Sequence, residues 1–399
     1  NGLSNNEKAN LLLEKHTFKE LLADVEQRNL QNNIVGLEAS RLFARSEINM
    51  GVDAFRDSLY AMLKRNTFLN IKFENMLDTL GEMSRTDLYS YLKEWEQLTP
   101  LPFYSIGEPE LTKVVNKGGE EFFVLKVLVS NNSDYDGIIQ MNVLQNGWWY
   151  QPMEDPRARK KVEIAAHTSK EFVSVWEEQI RDVEINTMVS GNLPYMIRQS
   201  IGNVKQERNK IVKDTIYTLP ESSLEMPGEV IVDNEDSTLF VLSTPAVVGL
   251  LPKWLDKVED TSFKYSGISW WRAPLQWTAT TNAKYYGKYI RSAYVIKSGD
   301  GSQTATWKIP VPEAGQYELY YHVFKDDELR WNDRLQGEYH FRVAYDSEME
   351  DAYINLRKAN EGWEQLGTYY FSADTVRVVL TDECKLRSVT ADAVKIVKR

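Results

Sequence analysis

Four histidines, one cysteine and 58 acidic residues bound the chemistry open to this chain of 399 residues. A zinc hydrolase built on a helix needs two histidines one turn apart, with a glutamate beside the first. None of His16, His167, His322 and His340 is followed by glutamate, and no two stand four positions apart. They read as packed or surface residues. Acyl transfer from a nucleophile elbow needs G-x-S-x-G, and nucleotide chemistry needs a P-loop or G-x-G-x-x-G; none of these spacings occurs. Cys384 has no partner for a disulfide or a CxxC site and reads as a small buried apolar residue. The paired carboxylates of a polysaccharide lyase or hydrolase remain an open alternative, because acids are abundant; abundance alone names no pair.

Two groups of residues have more definite chemistry. Asp233, Asn234, Glu235 and Asp236 put four oxygen-bearing side chains in a row. At a turn, Asp233, Glu235 and Asp236 can wrap a hard cation, a structural calcium, or the run can form an Asx turn between strands. The second group is aromatic. Eleven Trp and 21 Tyr are present, and they concentrate in the last third. Flat rings exposed at strand ends make platforms for the apolar face of a sugar; the same rings can instead fill a core, where each buries a large apolar area. Trp277, Trp307 and Trp363 are read as core. Trp270, Trp271 and Tyr286 are read as ligand-binding positions. So is Trp331, at the centre of the charged run Lys325-Asp326-Asp327-Glu328-Leu329-Arg330-Trp331-Asn332-Asp333-Arg334.

These residues need elements to hold them. Thr17 and Glu20 have capping-box spacing. Phe55, Leu59, Met62 and Leu63 share one helical face, as do Phe73, Met76, Leu77 and Leu80, and then Leu88, Tyr91, Leu92 and Trp95 after a start signal at Ser84–Asp87. Beyond Pro100 and Pro102 the period changes to two. Phe123, Leu125, Val127 and Val129 alternate, then Ile139, Met141 and Val143, then Phe172, Ser174 and Trp176, with turn signals between. Tyr317, Leu319, Tyr321 and Val323, then Phe341, Val343 and Tyr345, then Val376, Val378 and Leu380 repeat the pattern.

The expected organisation is therefore multidomain α + β. Residues 1–105 are helical. Residues 106–202 form a β-sandwich of the immunoglobulin or fibronectin sort. Residues 203–228, polar and ending in Pro227-Gly228, are a linker or wrapping arm in which Lys205–Lys213 can be helical. Residues 229–399 are a β jelly roll. A net charge of −11, with no basic run longer than Arg159-Lys160-Lys161, excludes nucleic acid from the expected partners. No apolar run reaches the roughly 18 residues of a membrane span, and no signal peptide stands at the start.

Two stretches resemble known families. Gly36-Leu37-Glu38, Met50-Gly51-Val52-Asp53-Ala54-Phe55, Tyr60, Asn75-Met76-Leu77, Asp87-Leu88, Trp95 and Leu101-Pro102-Phe103-Tyr104 follow an order that resembles the last helices of the catalytic domain in gluzincin aminopeptidases of the aminopeptidase N type. Asn33 and Val35 stand where that family has Tyr and Lys. Its zinc-binding helices lie upstream of this stretch, so the resemblance carries no catalytic residue into the chain and implies an upstream catalytic domain as a partner. The last domain is similar to the golvesin/xanthan-lyase C-terminal type, which is carbohydrate-binding-like. The similarity rests on Val232-Asp233-Asn234-Glu235-Asp236, Tyr285-Tyr286-Gly287, Thr304-Ala305-Thr306-Trp307, Ala314-Gly315-Gln316-Tyr317, Gly362-Trp363-Glu364-Gln365-Leu366-Gly367 and Val389-Thr390-Ala391-Asp392-Ala393-Val394. An apolar insertion at 245–264 and a long charged loop at 325–337 depart from it.

Together these readings predict a non-catalytic accessory region of an exported, periplasmic or cell-surface, metallopeptidase-like protein. Its C-terminal domain would bind a glycan or cell-surface polymer and tether substrate for the upstream domain. A purely structural region that packs against that domain is the alternative.

Overall fold

The computed structural model describes residues 2–85, 87–145, 155–208, 212–222, 224, 228–243, 263–268, 272–325, 337–346 and 348–399. The chain is mostly β and divides into two compact units, Ser4–Leu224 and residues 1–3 with 225–399.

The first unit opens with six helices: α1 (Asn5–Leu13), α2 (Phe18–Ala23), α3 (Gln31–Met50), α4 (Val52–Arg65), α5 (Phe73–Ser84) and α6 (Leu88–Glu94). Their starts follow capping chemistry. The Thr17 hydroxyl accepts the Glu20 N–H while the Glu20 carboxylate accepts the Thr17 N–H, and Ser4 and Glu7 do the same for α1. Asp87 accepts the N–H groups of Tyr89 and Ser90 at 3.1 and 3.2 Å. Gly51, at φ +84°, breaks α3 from α4 in a conformation that costs glycine little. Leu42, Phe55, Leu77, Leu80 and Leu88 form the helical core. Of the residues expected on the apolar stripes, Leu63 and Phe73 lie exposed instead.

Ten strands follow in this unit: β1 (Tyr104–Ile106), β2 (Glu110–Val115), β3 (Glu121–Asn131), β4 (Gly137–Gln145), β5 (Arg159–Ile164), β6 (Thr168–Trp176), β7 (Ile180–Asn186), β8 (Met196–Ser200), β9 (Val204–Arg208) and β10 (Thr215–Pro220). One sheet has the order β10-β6-β3-β2-β9, with β1 also on β3; the other is β5-β4-β7-β8. The alternating residues Leu125, Val127 and Val129, with Ile139, Met141, Val143, Phe172 and Trp176, meet in one core between them.

The helices pack on these sheets rather than standing apart. Ala44 joins Ile138 and Met188 in a shared cluster, Asn10 donates to the Met188 carbonyl at 3.0 Å, and Lys161 pairs with Glu47. The segment expected as a linker differs from expectation too. Val204–Arg208 is a strand paired parallel to β2, not a helix, and Thr215–Pro220 pairs antiparallel with β6. The polar composition that suggested a linker belongs to two edge strands, where exposed side chains and a terminal proline are tolerated.

The second unit holds β11 (Glu229–Val232), β12 (Phe240–Leu242), β13 (Thr278–Thr281), β14 (Ser292–Lys297), β15 (Thr304–Pro310), β16 (Gly315–Val323), β17 (Glu338–Tyr345), β18 (Glu348–Asn355), β19 (Gly362–Phe371), β20 (Thr375–Thr381), β21 (Ser388–Ala391) and β22 (Val394–Lys398). A four-stranded sheet, β11-β22-β16-β19, and a five-stranded sheet, β12-β15-β20-β17-β18, share one core. A three-stranded sheet, β13-β14-β21, completes the unit. Trp307, Tyr317, Leu319, Tyr321, Phe341, Val378 and Ile396 are fully buried in the shared core. Trp307 fills it as expected, and Trp277 packs against its margin.

Candidate functional site

Strand periodicity decides what the four-stranded sheet shows on its outer face. On β16, Tyr317, Leu319, Tyr321 and Val323 point into the core, so Glu318, Tyr320 and His322 point outward. Residues directly opposite in an antiparallel pair share a face. Trp363 on β19 is opposite His322, and Lys395 on β22 is opposite Tyr320. Trp363 is therefore an outer-face residue and not part of the core its size suggested. Its indole lies edge-on to the His322 ring, with centroids 5.1 Å apart. The Lys395 ammonium stands 4.9 Å from the Trp363 centroid and 5.3 Å from that of Tyr320, a cation–π contact on both rings. Glu229 of β11 holds that ammonium at 2.7 Å.

Tyr286 joins this face from the loop after β13. The turn that carries it is closed by Gly287, where a Cβ would collide with the Ile290 carbonyl. Its ring lies 5.0 Å from Trp363 and 5.8 Å from His322. Its N–H donates to both oxygens of Asp392 at 3.2 Å each, and Asp392 takes His322 Nδ1 at 2.8 Å. Asp392 is fully buried. Burial pushes its carboxyl up, and the adjacent His322 opposes that shift. The result is a ladder along β16: Tyr286, Trp363 with His322, Lys395, Tyr320. It ends at Glu318, which accepts the Tyr320 hydroxyl at 2.6 Å and Arg399 at 2.9 Å. Both donors hold the Glu318 carboxyl below its ordinary range.

The acidic run adjoins the opposite end of the ladder, near His322 and Asp392, because β11 pairs with β22 up to Val232 opposite Val394, which is itself opposite Tyr321. Burial and the Asp392 charge push Asp233 well above the ordinary aspartate range. Glu235 accepts the Tyr265 hydroxyl at 3.0 Å, Lys264 at 2.5 Å and the Ser292 hydroxyl. Asp236 forms an Asx turn, accepting the Thr238 N–H and hydroxyl at 3.1 and 2.7 Å. Each carboxylate of the expected calcium set thus has its own surroundings. Among the described residues no group of three or more His, Cys, Asp or Glu is placed to hold a metal ion.

Of the positions expected to bind ligand, Tyr286 lies on this face. Trp270, Trp271 and Trp331 lie outside the described residues, as does most of the 245–264 insertion. Trp363, expected in the core, and His322, Tyr320, Lys395 and Asp392 are not among the expected ligand positions. The signal for Tyr320 and His322 was present: the same alternation that names the inward residues of β16 names the outward ones.

With this geometry in place, the comparisons with known proteins can be set beside it. Residues 271–398 match the Golvesin C-terminal domain family. That span contains Tyr286, His322, Trp363 and Asp392, but neither β11 nor β12. No curated protein matches the chain. Among solved structures, CBM35 from Cellvibrio japonicus is 12% identical over 28% of this chain and 75% of its own, with a TM-score of 0.20. Legionella pneumophila aminopeptidase A is 15% identical over 42% of this chain and 17% of its own, with a TM-score of 0.20. Bacteroides uniformis beta-glucuronidase is 10% identical over 79% of this chain and 32% of its own, with a TM-score of 0.21. The matched region is thus a third or less of the aminopeptidase and glucuronidase chains. Among the described residues no helix is long and apolar enough to cross a membrane.

Proposed function

We propose that residues 225–399 are a carbohydrate-binding jelly roll. They would serve as part of a non-catalytic accessory region of a larger exported, metallopeptidase-like protein. The ligand face is Tyr286, Trp363 and Tyr320, with Trp331, Trp270 and Trp271 as further candidates. One observation carries this reading: segments far apart in sequence bring three aromatic rings to one outward sheet face, flanked by Lys395, Glu229 and Glu318. Rings give a sugar its apolar contact; Glu318 at the end of the ladder offers its hydroxyls a partner, and the largely buried Lys395–Glu229 pair holds Trp363 and Tyr320 in place. The family match over 271–398 supports the same reading.

His322 and Asp392 resemble two members of a catalytic triad, but a triad also needs a nucleophile within hydrogen-bond reach of the imidazole. Among the described residues the ring contacts of His322 are with Asp392, Tyr286 and Trp363, a set that fixes two rings in place. We therefore assign the dyad to positioning. The helices and the first sandwich, of immunoglobulin or fibronectin type, would follow a gluzincin-like catalytic domain upstream. The jelly roll would raise the local concentration of substrate by tethering a cell-surface polymer.

A screen of the full chain against bacterial and host polysaccharides tests this. At least one polymer is expected to retain the protein, and Trp363→Ala is expected to abolish retention. Failure of every polymer to retain a folded protein would return the face to interdomain packing.

A further inference from the structure

The five-stranded sheet has an outer face too, and it carries a cleft that the reading above does not use. Its volume is about 300 Å³, and Glu338, His340, Tyr353, Asn355, Glu383 and Lys385 are among its walls. The alternation of β17 and β18 produces it. Tyr339, Phe341 and Val343 point into the core, so Glu338 and His340 point outward, beside Asn355 and Tyr353 of the neighbouring strand. The opposite wall is held rigidly. Asp382, nearly buried, accepts the N–H groups of Gly301 and Gln303 at 2.7 and 3.2 Å, and its carbonyl accepts the Gly299 N–H at 2.8 Å.

The lining has a definite chemical preference. Tyr353 lies flat on His340, with centroids 5.0 Å apart and planes 12° from parallel. His340 is the covered partner, and more than half of Tyr353 is exposed. Three carboxylates surround this ring pair. Asp351 is 2.7 Å from His340 Nε2, Glu383 is 3.4 Å from Nδ1, and Glu338 faces Asn355 at 3.2 Å. Among the described residues Lys385 is the one lysine or arginine in the cleft wall. An exposed ring beside several carboxylates suits a ligand with a flat apolar face and a positive charge.

We infer that this cleft binds an amino sugar carrying a free ammonium group, with the pyranose against Tyr353 and the ammonium between Glu383 and Glu338. It is a second site, separate from the aromatic ladder on the other sheet, and does not depend on that ladder binding glycan.

Calorimetric titration of the full chain with a glucosamine tetramer, and with its fully N-acetylated counterpart, tests the inference. The free amine is expected to bind, and acetylation, which removes the charge, to weaken binding about tenfold or more. Binding should fall with added salt. Tyr353→Ala and the conservative Glu383→Gln should each cost a similar factor, with the circular dichroism of the protein unchanged. Three results would overturn the inference: no binding of the amine at low salt, equal affinity for the acetylated tetramer, or an affinity lost in Trp363→Ala but kept in both cleft variants. The last would place the amine on the other sheet, and it differs from a failure of the polysaccharide screen, which leaves this titration untouched.

Discussion

Burial raises the carboxyls of Asp233 and Asp392 above the ordinary aspartate range, and the Asp392 charge raises Asp233 further. An acid whose folded pKa lies above its unfolded value takes up a proton on folding. Its contribution to stability is full below the ordinary carboxyl range and declines as pH rises through the raised pKa. Asp233→Asn abolishes that proton uptake. Urea denaturation at a series of pH values should therefore show wild-type stability falling more steeply than the variant's from acid toward neutral; parallel profiles would contradict the assignment. Residue identity alone gave part of this site. The turn at Asp236 was legible, because Asx turns are local. Trp363 was not, because size and hydrophobicity favour a core position. Only the cross-strand register with His322 reveals that it faces outward.

Elements carry the next set of consequences. His167 bridges the end of β10 to the loop after β3, with Nδ1 2.7 Å from Glu221 and Nε2 2.8 Å from Asp134. Both contacts are made by a doubly protonated ring. Hydrogen bonds donated to Asp134 and then to Glu221 raise its pKa above the ordinary value. The clasp is complete below the ordinary histidine pKa and is lost as pH rises through the raised one. A proton NMR titration should place the His167 pKa above 6.5, and Glu221→Gln should lower it; a value unmoved by that change would refute the bridge. This clasp was not legible, since it joins segments 33 and 54 residues apart. The periodic strands were. Alternation alone located β3, β4, β6, β16, β17 and β20, because one buried face imposes a period of two. It failed at β9 and β10, where polar edge strands carry little of that signal. Within the second core, Phe341 is fully buried and packs 5.0 Å from Tyr321. Phe341→Ala should cost about 3–5 kcal/mol of stability by thermal or urea unfolding, the usual range for a large ring lost from a close-packed core.

At the scale of the whole molecule, the second unit is larger than its family match. β11 pairs with β22 and β12 with β15, so an edge strand of each core sheet comes from outside residues 271–398. Val232 and Phe240 are buried in the shared core, and Phe240 lies 5.3 Å from Trp307. A fragment of residues 225–399 should unfold cooperatively, and one of residues 271–399 should melt at a distinctly lower temperature or not fold; equal melting would show that β11 and β12 are dispensable. The division into helices, a first set of strands and a second was readable from the change of period near Pro100 and from the concentration of Trp and Tyr in the last third. That the helices and the first sheets share one compact unit was not readable, because Ala44, Ile138 and Met188 give no pairing signal in a single sequence. The central claim is that the Tyr286, Trp363 and Tyr320 face holds a sugar. Its most direct test is intrinsic tryptophan fluorescence of the full chain, titrated with the polysaccharide that retains it best, alongside Trp363→Ala. A saturable shift that disappears in the variant is the predicted result. A shift of equal size and midpoint in the variant would contradict the claim and move the ligand elsewhere on the molecule.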